Sequence, residues 1–201
     1  YFGRLKKLYL MKKIILAVLL LVVCSDLFAQ VTVYRTFKEY ERGKGEPYDD
    51  FDKWLTGATL NKVKYIFIKN GEKETILNTE MWGFKYKDVL FRIFPLNKEW
   101  SLGKVMSTGK VTYYEFGWEH LRLAQKGKPE GKKPDITIYP GYSIGLNDEP
   151  FFGYFRIKKK DKDLEAFKAA NPEHKTLYNC LEGKLEILEI RACFNDYNKK
   201  E

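Results

Sequence analysis

The 201-residue chain carries 36 basic and 27 acidic side chains, a formal net charge of +9. The first 29 residues hold much of that excess; beyond them 31 basic and 26 acidic residues are interspersed along 172 positions, a net +5. Charge so scattered serves solubility and excludes a dedicated nucleic-acid surface, and 172 residues suit a single domain with a sizeable core.

In chain order, Lys12 and Lys13 precede ten uninterrupted apolar residues, Ile14 to Val23, and then Ala29-Gln30. This is the layout of a secretory signal peptide that begins at Met11, with Tyr1 to Leu10 as upstream sequence and cleavage after Ala29. Ten apolar residues are half of the roughly 20 needed to span hydrocarbon, so no membrane span is expected in the mature form. A competing reading attaches lipid at Cys24, but Val23 stands where a lipoprotein peptidase prefers Gly or Ala. The expectation is a periplasmic or secreted protein, residues 30 to 201.

Thr36-Phe37-Lys38-Glu39 has the capping-box pattern, and Gly43 and Gly45 follow, so a short N-terminal helix is predicted over Phe37 to Arg42. The acidic stretch Glu46 to Asp50 reads as a loop. From Lys62 the period changes to two: Val63, Tyr65 and Phe67 alternate with Lys64, Ile66 and Ile68, and Asn70-Gly71 supplies the positive-φ pair of a type I′ hairpin. Further strands are predicted at Trp82 to Tyr86, Val89 to Phe94, Trp100 to Met106, Lys110 to Phe116, Ile136 to Tyr139, Tyr142 to Leu146 and Phe151 to Ile157. Turns at Lys87-Asp88, Pro95 to Lys98, Ser107 to Gly109, Pro140-Gly141 and Asn147 to Pro150 separate them. Connections this short make antiparallel neighbours. The predicted class is therefore α+β: an antiparallel meander or partial barrel over 60 to 157, with a helical C-terminal cap over 161 to 198.

Gln125 to Asp135, with four lysines, two glycines and two prolines, reads as a solvated loop. The cap is predicted from Asp161 or Asp163 before Leu164 and Phe167, from Asn171-Pro172 opening a helix that Gly183 closes, and from Ile187, Ile190, Phe194 and Tyr197 at helical spacing. Cys180 and Cys193 are the only cysteines beyond the leader. Their separation fits neither a redox Cys-x-x-Cys nor a zinc half-site, and in an oxidising compartment it predicts a disulfide stapling that hairpin.

Chemistry has little raw material here. Two histidines, His120 and His174, have no second ligand at metal spacing, so no metal or cofactor is expected. Glu119-His120 suggests an acid-base pair, yet on a strand adjacent residues face opposite ways. Ser101, Ser107 and Ser143 lack a Gly-x-Ser-x-Gly elbow, and no P-loop or Rossmann glycine pattern is present. The carboxylate pairs Asp49-Asp50 and Asp148-Glu149 fall in turn composition. A hydrolase would need at least two of Glu115, Glu119, His120, Asp148 and Glu149 to converge in a cleft. The aromatic lead is Trp82, Trp100 and Trp118, with Tyr113, Tyr114 and Phe116, either as core or as a ligand surface.

Val33-Tyr34-Arg35-Thr36-Phe37-Lys38-Glu39-Tyr40 with Gly43-Lys44-Gly45-Glu46, Trp82-Gly83-Phe84-Lys85-Tyr86 with Val89-Leu90-Phe91-Arg92, and the tail with Asn171-Pro172-Glu173, Cys180 and Cys193 resemble exported proteins of Bacteroidota-type bacteria. The leader ending Leu27-Phe28-Ala29-Gln30 is similar to theirs. The resemblance implies export and a shared fold, and it brings no assigned activity and no site residues. The functional expectation is a non-enzymatic envelope or secreted module that binds a partner. A hydrolase acting on polysaccharide or peptide, and a periplasmic carrier of lipid or another hydrophobic ligand, are the alternatives.

Overall fold

The computed structural model describes residues 30–56, 62–95, 101–126, 138–149, 162–183 and 186–199. The leader, Trp100, most of the lysine-rich loop and the predicted strand Phe151 to Ile157 lie outside them. The described residues form ten strands: β1 (Val31–Tyr34), β2 (Glu46–Tyr48), β3 (Asp50–Thr56), β4 (Val63–Lys69), β5 (Glu72–Leu77), β6 (Gly83–Tyr86), β7 (Val89–Ile93), β8 (Leu102–Ser107), β9 (Thr112–Phe116) and β10 (Tyr139–Ser143). With them go α1 (Phe37–Glu41), α2 (Glu119–Lys126), α3 (Lys162–Ala170), α4 (Lys175–Leu181) and α5 (Ile187–Lys199).

The strands make two antiparallel sheets. One has seven strands in the order β10-β9-β8-β7-β6-β1-β2; the other is the meander β3-β4-β5. Neither closes into a barrel. The β4–β5 hairpin turns through Asn70 at φ 53° and Gly71 at φ 78°, with Lys69 opposite Glu72. These are the two left-handed residues that let a two-residue turn follow the strand twist.

Alternation along the strands sorts the core. Val31, Val33, Phe84, Phe91, Ile93 and Leu102 of the seven-stranded sheet meet Phe51, Val63, Tyr65, Phe67 and Ile76 of the smaller sheet in one buried cluster. Farther along the same face, Tyr113 and Tyr142 meet Leu177, Tyr178, Leu181, Ile190 and Phe194 of the C-terminal helices in a second cluster. The opposite face is also covered. Tyr34, Trp82 and Leu90 lie under Phe37 and Tyr40 of α1, and Phe94, Tyr114 and Phe116 pack with Leu146. Both faces of the large sheet are thus closed, which is why its strands are aromatic on both sides.

Four expectations are corrected. Pro140-Gly141 does not turn the chain: one strand, Tyr139–Ser143, runs straight through both. Among the described strands β10 lies at an edge, where a proline without an N–H is tolerated. The acidic stretch is a loop only at Asp49, because Glu46–Tyr48 pairs with β1, and Pro47 again occupies an edge. Glu119-His120 begins a helix rather than continuing a strand, after Gly117 at φ 121° breaks the β conformation. Asn171 makes no side-chain cap; a 3₁₀ turn, Pro172–His174, leads into α4. Gly183, at φ 72°, follows α4.

Candidate functional site

On β9 the two-residue period puts Tyr113 and Glu115 on one face, toward the C-terminal helices. The break at Gly117 starts α2 so that His120, in its first turn, comes back over Glu115. His120 Nε2 lies 2.6 Å from Glu115 Oε2. From the other side α5 sends in Arg191, whose Nε donates to Oε1 at 2.5 Å and whose Nη2 donates to Oε2 at 2.7 Å. The Tyr113 hydroxyl donates to Oε1 at 3.0 Å. Glu115 is 0% exposed and His120 3%.

Burial alone would raise the Glu115 carboxyl, but the hydrogen bonds and charges of Arg191 and His120 outweigh it and hold the group below the usual carboxylate range. Glu115 is an anion with both oxygens occupied by the protein itself. A general acid or base must reach the atom it serves within about 3 Å. This one faces Arg191, His120 and Tyr113. The arrangement ties β9, α2 and α5 at one buried point, between the two hydrophobic clusters.

The other acids and hydroxyls named by the sequence do not join it. Glu119 is 4.0 Å from Arg122. Asp148 accepts the Gly145 N–H at 2.7 Å, a turn-forming role, and Glu149 is exposed. Asp50 accepts the N–H of Phe51 at 2.7 Å. Ser101 contacts the Tyr65 hydroxyl at 3.1 Å, and Ser143 donates to the Gly145 carbonyl at 2.6 Å. His174 Nδ1 meets the Tyr197 hydroxyl at 2.7 Å within the cap. Among the described residues no group of three His, Cys, Asp or Glu is placed to hold a metal ion.

Trp82 and Trp118 are both buried and lie on opposite faces of the large sheet, so the two indoles share no surface. Trp82 donates to Asn147 Oδ1 at 2.9 Å. Arg92 stands 4.6 Å from the rings of both Trp82 and Phe94 and donates to the carbonyls of Trp82, Ile93, Leu146 and Asn147. Burial lowers its guanidinium to about 10, yet it remains a cation at neutral pH and pins the 144–149 loop to β7. Trp118 stacks on Trp54 of β3 at 4.7 Å, with the Arg122 guanidinium 5.6 Å from the Trp54 ring. Trp54 is half-buried and its neighbour Leu55 is 46% exposed.

Cys180 on α4 and Cys193 on α5 form a disulfide, with Cα atoms 5.8 Å apart. Among the described residues no helix is long and apolar enough to cross a membrane. The disulfide is compatible with a periplasmic or extracellular setting.

Sequence reasoning missed Arg191 and Trp54, and named Tyr113 as an aromatic rather than as a partner of Glu115. Tyr113-x-Glu115 in a predicted strand does place both on one face; nothing local links Arg191, 76 residues away, to Glu115. The chain matches no protein-family model, no curated protein and no solved structure.

Proposed function

We propose that the chain is an exported, non-enzymatic module of the cell envelope or the secreted fraction, which binds a partner through the rim of the smaller sheet. One observation carries the reading: Glu115 and His120, the acid and base that a hydrolase would present to substrate, are sealed in the interior and bonded to each other, with the Glu115 oxygens also taken by Arg191 and Tyr113. Their role is then to hold elements together. The rim offers half-buried Trp54, exposed Leu55 and Arg122 over the indole, the residue types that anchor interfaces. The leader at Ile14 to Val23 and the Cys180–Cys193 bridge support export, and the Bacteroidota-type origin belongs with this proposal.

The test incubates the mature chain with peptidoglycan, neutral polysaccharide and peptide substrates. The expected result is co-sedimentation with an envelope polymer that Trp54→Ala weakens, without release of reducing ends or free amines. Turnover that disappears in folded Glu115→Gln and His120→Gln variants overturns the reading. Mass spectrometry of native material checks export, with Gln30 as the first residue and oxidised Cys180 and Cys193 expected.

A further inference from the structure

The geometry points to the C-terminal helical pair, α4 and α5, as an acid-released cap that the Glu115 carboxylate holds onto the large sheet. The inference is independent of the binding reading above. Three observations carry it.

First, the cap has a cluster of its own. Leu177, Tyr178, Leu181, Ile190, Cys193 and Phe194 gather with Val111, Tyr113 and Tyr142, apart from the core between the two sheets. The Cys180–Cys193 bridge joins α4 to α5, so the pair stays closed on itself when it leaves the sheet.

Second, among the described residues two sets of polar bonds from α5 to the sheet stand out. Arg191 makes its bidentate contact with Glu115. Asn198, at the far end of α5, accepts from the Val111 N–H at 3.2 Å and donates to the Val111 carbonyl at 2.9 Å and the Ser107 hydroxyl at 3.2 Å. The asparagine is neutral at every pH. Of the two fastenings, Glu115 with Arg191 is the one a proton can undo.

Third, the groups around Glu115 are one-sided. Tyr113 lies on its own strand and Lys104 stands opposite on β8. α2 contributes His120 and α5 contributes Arg191, while β10 places Pro140 opposite and adds no charge. Of the described acids on the same helices, Glu119 is beside Arg122, and Glu189 and Asp196 are exposed. Protonating Glu115 therefore removes the anion from a site walled by a phenol and bases, and takes from Arg191 the bidentate carboxylate that holds it to β9. Losing one partner of a buried pair is far costlier than never having built the pair.

The sign follows from the direction of the shift. A carboxyl held below its ordinary value contributes fully above that value, about pH 4, and loses its contribution as pH falls through the lowered one.

Hydrogen exchange by mass spectrometry on the full chain, stepped from neutral pH to about pH 3 and corrected for intrinsic rates, reads the release directly. Peptides of α5 are expected to lose protection at least tenfold at a pH where β4–β5 peptides keep theirs. Glu115→Gln is expected to show the α5 loss already at neutral pH. Tyr113→Phe removes one hydrogen bond and keeps the ring on Phe194, so its release shifts to higher pH. If Glu115→Gln does not fold, the wild-type and Tyr113→Phe titrations decide. Loss of α5 and β4–β5 protection together, α5 protection that survives at pH 3, or an unshifted Tyr113→Phe release overturns the inference.

Discussion

One face of the large sheet is closed in two ways. Toward β1 and β6 it is covered by the smaller sheet through ring-on-ring packing: Phe84 lies 5.2–6.1 Å from Phe51, Tyr65, Phe67 and Phe91. Toward β9 and β10 it is covered by helices. There the stack of Tyr113 on Phe194 at 4.3 Å is accompanied by the buried Glu115–Arg191–His120 set, the Asn198 clamp and a disulfide. Apolar burial is non-directional and indifferent to pH, whereas a buried ion pair demands one geometry and responds to protons. The sandwich rests mainly on packing that no proton alters, its ion pairs Arg35–Glu46, Arg35–Glu74 and Lys69–Glu46 lying at a part-exposed rim, whereas the cap has its carboxylate fully buried.

Two substitutions press on that contrast hardest. Phe84→Ala should cost about 4 kcal/mol, because a fully buried ring touching four others leaves a cavity the sheets cannot fill. Urea unfolding at pH 7 and pH 4 should give the same loss; a loss that changes with pH would break the comparison. Arg191→Met should cost about 3 kcal/mol at pH 7, the low end for breaking a buried pair because the guanidinium is 17% exposed. Its cost should shrink below pH 4, where Glu115 takes up a proton in the variant and the wild type begins to lose the same bond. Glu115→Leu with Arg191→Met should cost less than the sum of the two singles.

Next in size is the staple. Opening the bridge with Cys180→Ser and Cys193→Ser should destabilise by about 3 kcal/mol on the chain-entropy account, for cysteines 13 positions apart. If the cap is the separable unit, α4–α5 exchange should rise well before that of β6–β7. Equal rises across the molecule would show that cap and sandwich unfold as one.

What the sequence discloses is what local rules govern. Asn70-Gly71 marks a hairpin because only those dihedrals join two twisted strands by two residues, and Gly183 follows α4 in the left-handed conformation. β3 was illegible for a local reason of a different kind. Phe51 and Trp54 are three apart, an odd spacing that puts them on opposite faces of a regular strand. A bulge between Phe51 and Lys53 resets the phase, and Gln125 donates to the carbonyls of Phe51 and Asp52 to hold it. Pro140 misled because a proline-glycine pair signals a turn unless the strand lies at an edge, and edges are a property of the whole sheet. Glu115 and His120 are visible as candidates by residue type. That they converge depends on the break at Gly117, and that Glu115 is also held from the far side depends on Arg191, 76 residues away, which no periodicity encodes.

Asn198→Ala gives the smallest effect and the cleanest separation of charge from hydrogen bonding at the seam. The substitution leaves the Val111 N–H and carbonyl without the side chain that serves both. Part of that loss is recovered by water, since the site is half-exposed, so the cost should be about 1–2 kcal/mol. No titrating group is touched, and the cost should be the same at pH 7 and pH 4. Set beside Arg191→Met, this isolates the proton-sensitive fastening from the insensitive one on a single helix. Matching pH profiles for the two variants would mean that the cap answers to acid through the general weakening of its docking, and that Glu115 holds no special place in it.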